Sequence, residues 1–395
     1  MIDYQNFTND KIEQVKPSGI RKFFDIAIEM DNVISLSIGE PDFQTPWHIR
    51  EAGINSLKKG KTWYSPNKGF IELRKEICNY YKRRFNLSYN PDSDVLVTVG
   101  GSEAIDLVFR AIVNEGDEVL IPEPAFVCYT PLTYMAGGKP VIIETKAENN
   151  FKLTREELEN AITDKTKLLV LPYPNNPTGA IMEREDLEDI ADLIIKNDLM
   201  VLSDEIYGEL TYGGKKHVSI AELDGMKERT IVVSGFSKAF AMTGWRLGYA
   251  LGPSEIIKQI TKLHQYGIMS SPTTAQYAAI EALKNGDNDV AEMKSDYDIR
   301  RRLIVGKLNE IGLTCFEPLG AFYTFPCIKS TGLSSDEFAT RLVKEKRVAV
   351  VPGTAFGESG EGYVRISYAQ SLKNIKKALK RIEEFVKELK NENKG

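Results

Sequence analysis

The stretch TIVVSGFSKAFAMTGWRLGYALG, Thr230 to Gly252, contains two apolar, strand-like runs with a lysine between them. Only about ten residues separate TIVVSG from WRLGYALG. A parallel pair needs a longer, usually helical crossover, so the second run is expected to lie antiparallel. Lys238 falls where the first run ends and the backbone must turn among small residues, with Arg246 eight positions later. A solvated lysine needs no such neighbours. A lysine that must reach into a pocket and form a covalent bond does.

Upstream, DVLVTVG, DEVLIPE, PVIIET, KLLVLPYP and MVLSDEIY are further short apolar runs. Between them, SEAIDLVFRAIVNEG and REDLEDIADLIIKN carry apolar residues at three- and four-residue spacing, the helical period. This alternation predicts an α/β domain whose seven-stranded, mostly parallel sheet lies between helices. From about residue 290 the pattern changes. A charged helix, AEMKSDYDIRRRLIVGKLNEIG, precedes strand-like LTCFEP and AFYTFPCI. A helix around SSDEFATRLVKEK then leads to VAVVPG and YVRISYA. Leu372, Ile375, Leu379, Ile382, Val386 and Leu389 fall on one face of a closing helix. At 395 residues the chain exceeds one core. The expected division is a large domain over 46–288 and a smaller α+β domain over 289–395. The segment 1–45, too short for its own core, should pack with the small domain.

Composition narrows the function. Charged residues make up 27% and the net charge is −5, which argues against a general phosphate-backbone binder, so no nucleic-acid partner is expected. Four cysteines with no C-x-x-C pair suggest neither a disulfide framework nor a zinc site, and a reducing cytoplasm is the expected location. Three histidines, His48, His217 and His264, have no ligand spacing, so metal chemistry is not expected. There is neither a signal-peptide pattern at the start nor an apolar run of membrane-spanning length, so no membrane partner is expected.

In an α/β domain, ligands bind beyond the C-terminal ends of the strands. After DVLVTV comes Gly100-Gly101-Ser102 at a helix start, a place that favours an anion but that packing alone also explains. After EVLIPEPA comes Phe126, a ring for stacking or for core. After LLVLPYP comes NNPTG, Asn175 to Gly179, either a plain turn or a holder of a ligand oxygen through its amide. After MVLS comes DEIY, with Asp204 and Tyr207. A carboxylate at an apolar strand end is costly to bury unpaired, so it needs a cationic partner: a protonated aromatic nitrogen or an arginine. Taken together with Lys238 and Arg246, the set matches one ligand, a phosphorylated pyridine aldehyde.

The chain resembles the fold-type I, pyridoxal-phosphate-dependent aminotransferases of class I, the aspartate aminotransferase superfamily, nearly end to end. SGFSKAFAMTGWRLGY is similar to that family's cofactor-lysine signature, and LPYPNNPTG, SDEIY, IGEPDF, GAFY and YVRISYA follow its motifs in order. The resemblance implies that Lys238 bonds the cofactor and moves the proton, with Asp204 on the ring nitrogen and Tyr207 and Asn176 on the ring oxygen. Phe126 would stack on the ring, and Gly101, Ser102, Ser237 and Arg246 would hold the phosphate. Tyr64, in WYSPNKG, would reach the phosphate in the neighbouring subunit of a homodimer. Arg365 would clamp the substrate α-carboxylate, with Gly39 contributing backbone and Asn176 lying beside it.

Two departures stand out. Some relatives carry a phosphate-binding serine three positions before the lysine, where this chain has Gly235. The aspartate-specific branch takes an arginine from the partner subunit; the matching region around Tyr266, LHQYGIMSSP, has none. Dicarboxylate specificity therefore does not carry over. Ile20, Tyr266 and Ser271 are candidates for the side-chain pocket or for plain packing. The implied reaction is amino transfer between an L-amino acid and a 2-oxo acid such as 2-oxoglutarate. The rivals are a carbon–sulfur lyase on the same scaffold and a non-catalytic ligand-sensing domain, for which the 45 residues before the sheet domain leave little room.

Overall fold

The computed structural model describes residues 7–17, 19–20 and 30–392. A short strand β1 (Ile34–Ser35) and the helices Trp47–Lys58 and Ile71–Phe85 precede the main sheet. Its strands are β2 (Val95–Thr98), β3 (Glu118–Glu123), β4 (Lys139–Glu144), β5 (Thr166–Leu171), β6 (Met200–Asp204), β7 (Thr230–Gly235) and β8 (Gly248–Leu251). They lie in the order β2-β8-β7-β6-β5-β3-β4. All neighbours are parallel except β8, which runs antiparallel to both β2 and β7. The seven expected strands are all present, and the short connector sets the direction of β8 as anticipated.

The strands read as continuous apolar runs because helices cover both faces. Successive residues alternate between two cores. Leu96, Leu168, Val170, Leu202 and Ile231 pack with the helices Gly100–Ile112 and Ser254–Gly267. Val95, Val97 and Val232 face the helices Ile71–Phe85 and Thr273–Asn285 instead, and Leu169, Leu171 and Val201 face Arg184–Lys196. β4 is the open edge; it carries Lys139 and Pro140 and is largely solvent-facing, which blunts edge pairing.

The C-terminal part adds β9 (Tyr323–Thr324), β10 (Val348–Ala349), β11 (Val351–Pro352) and β12 (Val364–Ser367). β11, β12 and β9 form an antiparallel sheet, while β1 pairs in parallel with β10. Ile375, Leu379, Ile382, Phe385, Val386 and Leu389 of the closing helix Leu372–Glu392 bury against Tyr297, Ile304 and Leu308 of the helix Asp287–Glu310. Ile34 and Leu36 join this core. Of the N-terminal segment, residues 1–6, 18 and 21–29 lie outside the described residues; Lys11 contacts Glu115 at 3.0 Å, beside the main sheet. One expected strand does not form. LTCFEP (Leu313–Pro318) belongs to no strand, because Cys315 bonds to the Asn309 side chain through its own N–H and carbonyl, at 2.8 and 3.0 Å, and only Thr314 O meets Cys327 N, at 2.8 Å. Among the described residues no helix is long and apolar enough to cross a membrane.

Candidate active site

The loops after β2, β3, β5, β6 and β7 open onto one cavity of about 500 Å³. Gly101, Ser102, Phe126, Asn176, Asp204, Tyr207, Ser237, Lys238 and Arg246 line it from these strand ends; Gly39 and Arg365 close it from the β1 and β12 side.

Lys238 lies in the turn three residues beyond the end of β7 and lines this space. Its Nζ donates to Gly39 O at 2.6 Å and lies 5.8 and 5.7 Å from the ring centres of Tyr207 and Phe322. Burial lowers its pKa to about 8; Glu40 and Asp204 oppose the shift, and the charges of Arg365 and Arg246 add to it.

Asp204 ends β6. The alternation of the strand turns its neighbour Glu205 away, onto Ser203 Oγ at 2.8 Å and Ser219 Oγ at 2.5 Å. Asp204 Oδ2 accepts from Tyr129 Oη at 2.7 Å and Oδ1 from Ile206 N at 3.2 Å. Burial raises its pKa to about 6, against the pull of those two donors. Among the described residues neither a lysine nor an arginine forms a salt bridge with this carboxylate; a phenol and an amide meet it, and Lys238 acts on it through its charge at longer range.

The two asparagines of the NNPTG motif are placed differently. Asn175 builds the turn, accepting from Thr178 N at 3.1 Å and Thr178 Oγ1 at 2.8 Å. Asn176 is left to face the cavity, where its Oδ1 accepts from Arg365 Nη1 at 2.9 Å. Arg365 Nη2 donates to Ser37 O at 2.6 Å, and its Nε is buried with no hydrogen-bond partner among the described residues. The guanidinium lies 4.5 Å from the Tyr323 ring centre and 4.8 Å from that of Phe356, so it is held flat between two aromatic faces. Tyr207 Oη and Tyr323 Oη share a hydrogen bond of 2.8 Å. Burial raises both phenol pKa values, keeping the pair protonated.

The cradle at the start of the helix Gly100–Ile112 needs glycine at its first position. Gly100 has φ of +76°, and an added Cβ would stand 2.6 Å from Arg246 Nη2. Gly101 is under no such pressure, its nearest contact being 3.7 Å. Arg246, anchored on Thr243 O at 3.0 Å, therefore sits beside the open N–H groups of that first turn. The departure at Gly235 also has a cause. Gly235 pairs with Gly248 across β7 and β8, and a Cβ there would come within 2.9 Å of Gly248 Cα. This sheet leaves no room for a serine.

Other candidates fall elsewhere. Tyr64 is 77% exposed and does not line the cavity of its own chain. Tyr266 is 93% exposed on the surface, and Ser271 is buried on Val97 O at 3.0 Å; neither lines the cavity, while Ile20 does. Sequence reasoning missed Tyr129, Ser37 and Phe356, and it gave Tyr323 no role although GAFY had marked the place.

The donor set fits a phosphorylated pyridine aldehyde: an amine with a lowered pKa, a buried acid with no salt bridge among the described residues, and an open helix start flanked by arginine. This fold with this arrangement defines the fold-type I class of pyridoxal-phosphate proteins. The chain belongs to the family aminotransferase class I and II, whose model matches residues 31–382. It is 49% identical to an aspartate aminotransferase of Pyrococcus abyssi, over 97% of this chain and 99% of that one. It is 47% identical to aromatic-amino-acid aminotransferase 2 of Thermococcus litoralis, with the same coverage. Among solved structures it matches the aspartate aminotransferase from Thermus thermophilus with maleate at a TM-score of 0.91 and 39% identity, over 95% of this chain and 99% of that one.

Proposed function

We propose that the chain is an aminotransferase that carries pyridoxal 5′-phosphate on Lys238 and moves an amino group between an L-amino acid and a 2-oxo acid, with 2-oxoglutarate as acceptor. The observation that carries this reading is Lys238, its pKa lowered to about 8, in one cavity with the buried carboxylate of Asp204. When bound, the cofactor supplies a ring that takes up the electron pair left on the α-carbon.

The neutral share of Lys238 near pH 8 far exceeds that of an ordinary lysine with a pKa of about 10.4, so its Nζ can attack an aldehyde and later take and return the Cα proton. Asp204, ionised above pH 6, would hold a protonated ring nitrogen. Tyr207 and Asn176 would face the ring oxygen, and Phe126 would lie against the ring. Gly101, Ser102, Ser237 and Arg246 would hold the phosphate. Two of the N–H groups of Arg365 are engaged and its Nε is free, so its planar edge can grip a substrate carboxylate beside Asn176 and the Gly39 backbone. That grip would orient the substrate's α-carbon toward Lys238.

We also propose that the enzyme works as a homodimer, with Tyr64 reaching the partner's phosphate site. Its support is the exposed apolar surface of Trp63, Tyr64, Tyr266, Ile268 and Met269. All four cysteines are free, in keeping with a cytoplasmic location. The domain division proposed above remains 46–288 for cofactor binding and 289–395 for the small domain. The test is to reduce the pyridoxal-phosphate-loaded protein with borohydride, map the labelled peptide, and assay a panel of amino donors against 2-oxoglutarate. A label on Lys238 and keto-acid-dependent turnover are expected. An unlabelled Lys238, or ammonia release without need of a keto acid, would overturn the reading.

A further inference from the structure

The helix Gly100–Ile112 begins without an ordinary cap. Its N-cap residue is Val99, whose side chain accepts no hydrogen bond, so no side chain of that residue covers the first-turn N–H groups. The Val99 N–H is nevertheless taken, by Glu103 Oε2 at 2.5 Å. Glu103 is the fourth residue of the helix, one place beyond the position from which a capping-box acid reaches back, and no side chain makes the forward bond from the cap. An anion in the cavity would supply that bond.

Glu103 Oε1 meets His264 Nδ1 at 2.7 Å. A carboxylate only accepts, so Nδ1 carries the proton and donates it. The His264 side chain is fully buried in the last turn of the helix Ser254–Gly267, and its Nε2 has no hydrogen-bond partner among the described residues. Burying a ring with one nitrogen unpaired is unfavourable, and the bond to Glu103 is what the ring makes in return.

Glu103 follows Ser102 directly and is the acidic residue of this first turn. The N–H groups and dipole that draw a phosphate to a helix start draw a carboxylate too. A free Glu103 would compete for those groups and repel a phosphate dianion. In this structure both of its oxygens are committed, one to the N-cap N–H of Val99 and the other to His264 Nδ1, and neither to the N–H groups of Gly101 and Ser102. We propose that His264 is a positioning residue that keeps the Glu103 carboxylate on the Val99 N–H, away from the N–H groups of Gly101 and Ser102, and so leaves those two open to the cofactor phosphate. The proposal rests on the cavity being a pyridoxal-phosphate site.

The test is equilibrium dialysis of the full-length apoprotein with pyridoxal 5′-phosphate and with pyridoxal, which lacks the phosphate. His264→Leu keeps bulk and removes the donor. It should weaken pyridoxal phosphate about tenfold, or about 1.4 kcal/mol, and leave pyridoxal unchanged. His264→Asn, with an amide donor near the Nδ1 position, should restore the affinity, as should adding Glu103→Gln to His264→Leu by removing the competing charge. Thermal midpoints of the apoproteins identify a variant that fails to fold, and His264→Asn against wild type then carries the comparison. Equal loss for both ligands, no loss in His264→Leu, or a double variant no better than the single one would overturn the proposal. If the wild type binds pyridoxal as tightly as its phosphate ester, the functional reading falls first and this proposal with it.

Discussion

Replacing Tyr129 by phenylalanine removes one donor from Asp204 and little else. The phenol stays protonated in the fold because burial raises its pKa well above the ordinary value, so it donates to Asp204 Oδ2 at 2.7 Å across the working pH range. A hydrogen bond to a charged group contributes about 1.5–3 kcal/mol. At about 1.4 kcal/mol per pKa unit, its loss should raise the Asp204 pKa by one to two units. From its present value of about 6, the carboxylate would move to roughly 7–8. Only the ionised form pairs with a protonated ring nitrogen, so a higher pKa moves the acid limb of cofactor binding to higher pH. At pH 6.5 the ionised share would fall from about three-quarters to about one-tenth, and affinity should drop roughly eightfold. Above pH 9 the two proteins should bind alike. The assay is equilibrium dialysis of pyridoxal 5′-phosphate against apoprotein from pH 5.5 to 9.5. Superimposable profiles would refute the role given to Tyr129. A loss of the same size at every pH would show that the phenol shapes the site without tuning the acid.

Lys238→Ala should abolish turnover and borohydride labelling, while the apoprotein's thermal midpoint stays level or rises, since a buried amine is removed; a folded variant with retained activity would count against the assignment. Arg365→Lys loses both the planar grip and the fit between Tyr323 and Phe356, so kcat/KM should fall about a hundredfold for every amino donor. A loss confined to one donor in steady-state assays would show that Arg365 reads the side chain instead. Gly235→Ser should destabilise the fold by about 1–3 kcal/mol through crowding against Gly248, seen as a lowered midpoint in calorimetry; an unchanged midpoint would mean that β7 and β8 separate easily.

What the sequence disclosed depended on how local the signal was. The direction of β8 followed from the length of one connector, and Lys238, Asp204 and Asn176 each sit at the end of an apolar run whose period identified it. Tyr129 gave no such sign. It opens the helix Tyr129–Ala136 in an unremarkable stretch, and its partner lies 75 residues away. Phe356 and Ser37 likewise gain their roles only when β1, β11 and β12 bring distant segments around Arg365. LTCFEP misled because apolar alternation does not reveal that an asparagine six residues earlier will occupy the backbone groups a neighbouring strand would need.

The contact between Lys238 Nζ and the Gly39 carbonyl carries a further consequence. While the amine donates there, it is held against the Gly39 backbone in either protonation state. Loading the cofactor must break that tether, so the ease of reconstitution reports on how firmly the Gly39 segment grips the lysine. By reciprocity, a loaded lysine must loosen Gly39 by the same free energy, and the stretch from Ile38 to Glu40 should then exchange its amide hydrogens faster in the holoenzyme than in the apoprotein.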